Sequence, residues 1–257
     1  MWFGDYVTMC WFDDVWTKEV FANYFAARMA EPLYKDINHR LNRLKTYTTA
    51  ALNEDRTLGA TSIRQELDNL RNAGLIYGQT IYNKAPIVMD KLVELMGEEA
   101  FRKGIQEYLT TYAYGNATWP NLIAILDRYT EEDLAQFSDV WVHQKGMPHI
   151  SFSVEGDELV VTQADPLGRD IHWRQSFDCR VVYSNGKMED IEVVMRDKEQ
   201  RYPLGEGVVA ILPNSCGRGY GLFIPDAKSR EWIMDNFATL KDELLRESLA
   251  ITLNECY

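Results

Sequence analysis

The hydrophobic pattern of this 257-residue chain changes period near residue 149 and again near residue 226. Those two changes constrain the fold more than any other feature. Before the first, apolar residues recur at helical spacing: after Asp13 come Val15, Trp16, Val20, Phe21, Tyr24, Phe25 and Met29, one face of a helix with Asp13 and Asp14 as its capping pair. Further helices are expected near 33–50, 61–74, 84–96, 98–112, 118–129 and 131–145. Thr118 should cap WPNLIAIL, with Pro120 in the first turn, and Gly97 and Gly115–Asn116 mark breaks. From 149 the period falls to two. ISFSVEGDELVVTQ alternates around Glu155-Gly156-Asp157, and HWRQSFDCRVVYSNGKMEDIEVVMRD around Ser184-Asn185-Gly186; both read as hairpins. VVAILPN and GYGLFIP add short strands. About six or seven such strands at regular turn spacing predict a small antiparallel β-sandwich. Helical spacing returns from Asp226. The predicted class is α+β and multidomain: helical over 1-147, β-sandwich over 148-225, helical again over 226-257.

The opening stretch holds Trp2, Phe3, Trp11, Phe12, Trp16, Phe21, Tyr24 and Phe25. Termini are usually polar and frayed, so this one is expected to pack, with Trp2, Phe3, Trp11 and Phe12 serving as core. Asp5, Asp13, Asp14, Lys18 and Glu19 interrupt any membrane span. A basic leader and a cleavage site are also lacking, so the chain reads as soluble, with its compartment open. A net charge of −12 with no basic run argues against nucleic-acid partners, whose phosphates need clustered Lys and Arg. Cys10, Cys179, Cys216 and Cys256 are far apart, which excludes a CxxC motif and predicts four free thiols.

One polar residue in the first helix carries chemistry. At helical spacing Glu19 lies among Val15, Asn23, Ala22 and Ala26, beside Trp16, on a helix that is apolar almost all round. A carboxylate on a buried face needs a cation to offset its desolvation. Periodicity leaves two partners open, a Lys or Arg in an ion pair, or a metal.

The residues around it carry a resemblance. WFGDYVTMCWFDDVWTKEVFANYFA resembles the segment that follows the HExxH helix in the aminopeptidase N family, zinc metallopeptidases of the gluzincin type. LIYGQTIYNKAPIVMDKLVELMGEEAFRKGIQEYLTTYAYGNATWPNLIAIL, FSDVWVHQKGMPHISF and PNSCGRGYGLFIPD resemble later family blocks, in the family's order. The resemblance implies the helical later part of a thermolysin-like catalytic domain, then a β-sandwich, then the start of a C-terminal helical domain. Glu19 would be the third zinc ligand and Tyr82 the catalytic tyrosine whose phenol hydrogen-bonds the oxyanion. Carried onto this sequence, the family's ligand spacing puts the second His of HExxH immediately before Met1.

Departures are visible. The family's NEG is Lys18-Glu19-Val20 here, and YxKG is Tyr82-Asn83-Lys84-Ala85. HExxH and the family's GxMEN strand are both absent, and none of His39, His143, His149 and His172 is spaced i, i+4 from another. All four histidines therefore read as structural. The resemblance implies Zn2+ in the intact parent, weak or no zinc in this chain, a peptide substrate for the parent, and no hydrolysis by residues 1–257 alone. An apolar N-terminal face that has lost its partners would self-associate. The rival expectation is a non-catalytic helical and β-sandwich protein that keeps the fold and binds peptides or a partner.

Overall fold

A computed structural model describes residues 2–256. The chain is α+β, with helices, a parallel strand pair and two larger sheets. In order the elements are β1 (Val7–Met9), α1 (Trp16–Ala30), α2 (His39–Arg43), α3 (Thr49–Asp55), α4 (Ala85–Met96), α5 (Glu98–Thr111), β2 (Gly115–Ala117), α6 (Trp119–Leu126) and α7 (Leu134–Ser138). There follow β3 (His149–Glu155), β4 (Glu158–Ala164), β5 (Gln175–Tyr183), β6 (Met188–Met195), β7 (Glu199–Pro203), β8 (Val208–Leu212), β9 (Leu222–Ile224), α8 (Ala227–Asn236) and α9 (Glu243–Glu255). Two compact units result, Met1–Ile37 with Ala50–Gly146, and Asn38–Thr49 with Met147–Tyr257.

In the first unit α1 packs along α4 and along the π-helical turn Thr80–Lys84 that leads into it. Trp16, Val20, Phe21 and Tyr24 form the buried face of α1. Trp16 lies against Trp119 at the start of α6, ring centroids 4.6 Å apart. Thr118 caps α6 as expected, in a reciprocal capping box with Asn121, which satisfies donors at the helix end. Gly104 of α5 sits so close to α6 that a Cβ there would come within 2.5 Å of Leu126 Cδ2.

In the second unit the sheet β7-β4-β3-β9 and the sheet β6-β5-β8 share one core, built by Ile150, Phe152, Leu159 and Val161 from the first and Phe177, Cys179, Val181, Val193 and Ile211 from the second. Strand alternation produces this directly, since every second residue faces inward. Both expected hairpins form: Glu155 pairs with Glu158 across a turn in which Gly156 has φ +64°, and Val182 pairs with Met188. Asp226 caps α8, accepting from the Ser229 backbone N–H.

Several expectations for the first 145 residues fail. Helix 33–50 begins only at His39, capped by Asn38. Residues 61–69 are irregular, and only the 3-10 run Leu70–Leu75 follows. Their polar groups go to distant partners instead: Arg64 Nε to Asp14 at 2.8 Å, and the Leu67 N–H to Asp13 at 2.9 Å. These long-range bonds override helix propensity. Asp13 and Asp14 accordingly do not cap α1, whose start has no side-chain cap; Asp14 instead also accepts from the Trp119 N–H at 3.2 Å. Gly115–Asn116, read as a break, pairs in parallel with β1. Trp2 and Trp11 are exposed, at 58% and 46%, rather than core.

Candidate active site

The first turn of α1 carries Glu19, and the π-helical turn Thr80–Lys84 carries Tyr82. Packing of α1 against that turn brings the two elements together, close enough for the Glu19 charge to act on the Tyr82 phenol. Partial burial, the Glu19 charge and the nearby Tyr77 phenol push the Tyr82 pKa above the ordinary phenol value. Tyr82 is thus a neutral hydroxyl at physiological pH, a hydrogen-bond donor. It remains 38% exposed, open to a ligand.

Glu19 differs from its expected setting. Its side chain is 27% exposed, because its neighbours Ala22 and Ala26 lie on the open side of α1 and are too small to cover it. Of the two expected partners, the ion pair takes the form of Lys18 Nζ at 3.8 Å. That contact joins two partly exposed side chains adjacent in sequence and contributes little. The carboxylate therefore needs no buried cation, and stays accessible as an acceptor or a ligand.

Two anchors hold the pair in place. Arg64, Asp13 and Asp14 tie the 61–69 segment to the approach of α1, and the Trp11 indole N–H donates to the Leu67 carbonyl at 2.8 Å. Below Tyr82, Lys84 is buried and pairs with buried Asp55 at 2.8 Å. Sequence reasoning missed Asp55, Tyr77 and the π turn. Pro86, which stands in the first turn of α4, signals where the regular helix starts, but no residue pattern announces the wider turn before it.

Among the described residues, no three His, Cys, Asp or Glu side chains gather closely enough to hold a metal. This donor set does not by itself fit a zinc ion, and Glu19 stands as a single candidate ligand. His143 lies 3.9 Å from Asp139, with burial lowering its pKa; burial also lowers that of His149. The four cysteines are free thiols. Beside the site on α1, Phe21, Ala22, Phe25 and Met29 line an open apolar groove of about 430 Å³ with Trp2, Phe3, Ile105 and Leu109. Phe3 stacks on Phe21 with centroids 4.2 Å apart. No helix among the described residues is long and apolar enough to cross a membrane.

The model of the Peptidase family M1 domain matches residues 1–141. Aminopeptidase N of Lactococcus lactis subsp. cremoris is 29% identical over 96% of this chain and 28% of its own length. Probable aminopeptidase 2 of Sulfurisphaera tokodaii is 30% identical over 63% of this chain and 21% of its own. Tricorn protease-interacting factor F2 of Thermoplasma volcanium is 27% identical over the same share of each. The chain thus spans less than a third of the length of these relatives.

Proposed function

Because the chain belongs to peptidase family M1, we propose that it is part of a zinc-dependent aminopeptidase, with Glu19 as third zinc ligand and Tyr82 as oxyanion donor. The proposed organisation is a helical portion of the catalytic domain, then a β-sandwich domain, then the first helices of a C-terminal helical domain. The observation that supports this reading is the packing of α1, which carries Glu19, against the Thr80–Lys84 turn, which carries Tyr82. A neutral phenol near an accessible carboxylate could donate to a substrate oxygen that gains negative charge. Zinc, if Glu19 held it together with further ligands, would supply a water of lowered pKa and a polarised carbonyl. No three His, Cys, Asp or Glu side chains gather among the described residues, and residues 1–257 alone are proposed to be inactive and to bind zinc weakly or not at all.

The complete gene product should release an N-terminal residue from an aminoacyl arylamide. Tyr82→Phe should lower kcat about 10²–10³-fold with KM little changed, the loss typical of one oxyanion donor. Glu19→Ala should abolish turnover. Activity of residues 1–257 that disappears in Glu19→Ala would contradict the proposed inactivity.

The apolar groove beside Glu19 favours a second reading, a non-catalytic protein that docks a peptide or partner there. The discriminating result is a complete gene product that encodes no HExxH, cleaves nothing, and binds peptide in a way that Phe25→Asp removes. In residues 1–257 the same groove is proposed to bind ANS and drive self-association, with both reduced by Phe25→Asp.

A further inference from the structure

We infer that Lys84 is a positioning residue for Tyr82: its buried pairing with Asp55 and the Gly146 carbonyl holds the Thr80–Lys84 turn in the wide form that points the phenol at Glu19. The inference rests on the proposed reading of Glu19 and Tyr82 as one site.

Lys84 Nζ lies 2.8 Å from Asp55 Oδ2 and 2.8 Å from the Gly146 carbonyl oxygen. The two side chains are only 2% and 1% exposed. At the other end of the turn, Thr80 Oγ1 is 3.3 Å from Thr61 Oγ1, and Ile81 is fully buried. Tyr82, between these fixed residues, projects outward.

A π turn is wider than an α turn by one residue and is uncommon unless its surroundings hold it. Relaxing this one to α geometry would rotate the side chains before α4 by about 100°, the angle per α-helical residue. That rotation would carry Tyr82 away from Glu19. A buried ion pair is seldom the most stabilising way to fill a core, because desolvation offsets the attraction and apolar pairs of similar volume often do as well. Its use two residues from Tyr82 is accounted for by what it specifies, the register of the turn.

The test uses residues 1–257 and the NOE between the Tyr82 ring and the Glu19 side chain, with Tyr82→Phe assigning the ring. The wild-type chain should show it; its absence there would overturn the reading of the site and this inference with it. The swap Lys84→Met with Asp55→Leu should keep the helical circular dichroism and the Trp16–Trp119 ring contact while losing the Tyr82–Glu19 NOE. Lys84→Arg is the second variant. It keeps Asp55 paired but replaces a compact ammonium with a broad fork, and it should lose the same NOE. A folded swap or a folded Lys84→Arg with the NOE intact would overturn the inference and leave the site reading standing.

Discussion

The two units differ in where they keep their ion pairs and how they close their apolar cores. In the second, strand alternation sends Phe177, Val181, Val193 and Ile211 into one closed core, and an exposed charge cluster lies on its surface: Arg201 reaches Glu155, Glu158 and Glu199 at 2.8 to 3.1 Å. In the first, apolar residues such as Trp2 and Met29 stay exposed, at 58% and 71%, around an open groove, while the charged Lys84–Asp55 pair is sealed inside. A closed sheet core stabilises by area and alternation. The first unit buries an ion pair and leaves an apolar face open on α1.

The largest effect should come from breaking that contrast at the buried pair. Lys84→Met alone removes one partner of a buried ion pair and should cost about 3–5 kcal/mol in urea denaturation. Arg201→Met, at the exposed cluster, should leave the denaturation midpoint unchanged; equal losses from the two would erase the distinction. Next is alkaline stability. Burial raises the pKa of Tyr24 to about 12 and that of Tyr108 to about 12, against about 10 when unfolded. Between pH 10 and 12 the unfolded chain has lost these protons while the native chain retains them, so stability is full below pH 10 and falls as pH rises through that window. Each group contributes about 2–3 kcal/mol. Tyr24→Phe should flatten the fall, and an unchanged alkaline profile would contradict the burial assigned to Tyr24.

Smaller effects sharpen the comparison inside the first unit. Gly104→Ala improves helix propensity but puts a Cβ against buried Leu126, and should destabilise by about 1–3 kcal/mol through overpacking. A stabilised variant would mean that α5 and α6 are less tightly apposed. Thr118→Ala removes the capping box of α6 and should cost about 1 kcal/mol; no change in thermal midpoint would show the box to be dispensable.

The second unit was far more legible in sequence than the first. Period-two alternation and the turns at Gly156 and Gly186 carry strand identity and register together, and β3 to β6 formed as read. β7, on the short segment EQRYP, offered too little alternation to be singled out. In the first unit, α4, α5 and α6 were legible from their apolar spacing and punctuation, Gly97 and Thr118. The 61–69 segment was not, because its conformation is set by Arg64 and Leu67 meeting Asp13 and Asp14, about fifty residues away. At the candidate site, Glu19 and Tyr82 were named from resemblance, and the elements that carry them pack together. The exposure of Glu19 was misjudged, since a helical wheel gives direction but not what covers it.

The most direct test of the account is the zinc content of the complete gene product, wild type beside Glu19→Gln, with equal folding verified by circular dichroism. The account predicts stoichiometric zinc in the wild type and its loss in Glu19→Gln, since a neutral amide is a poor substitute for a carboxylate ligand. Full zinc retained by Glu19→Gln, or none in the wild type, would contradict the assignment of Glu19 to a zinc peptidase site.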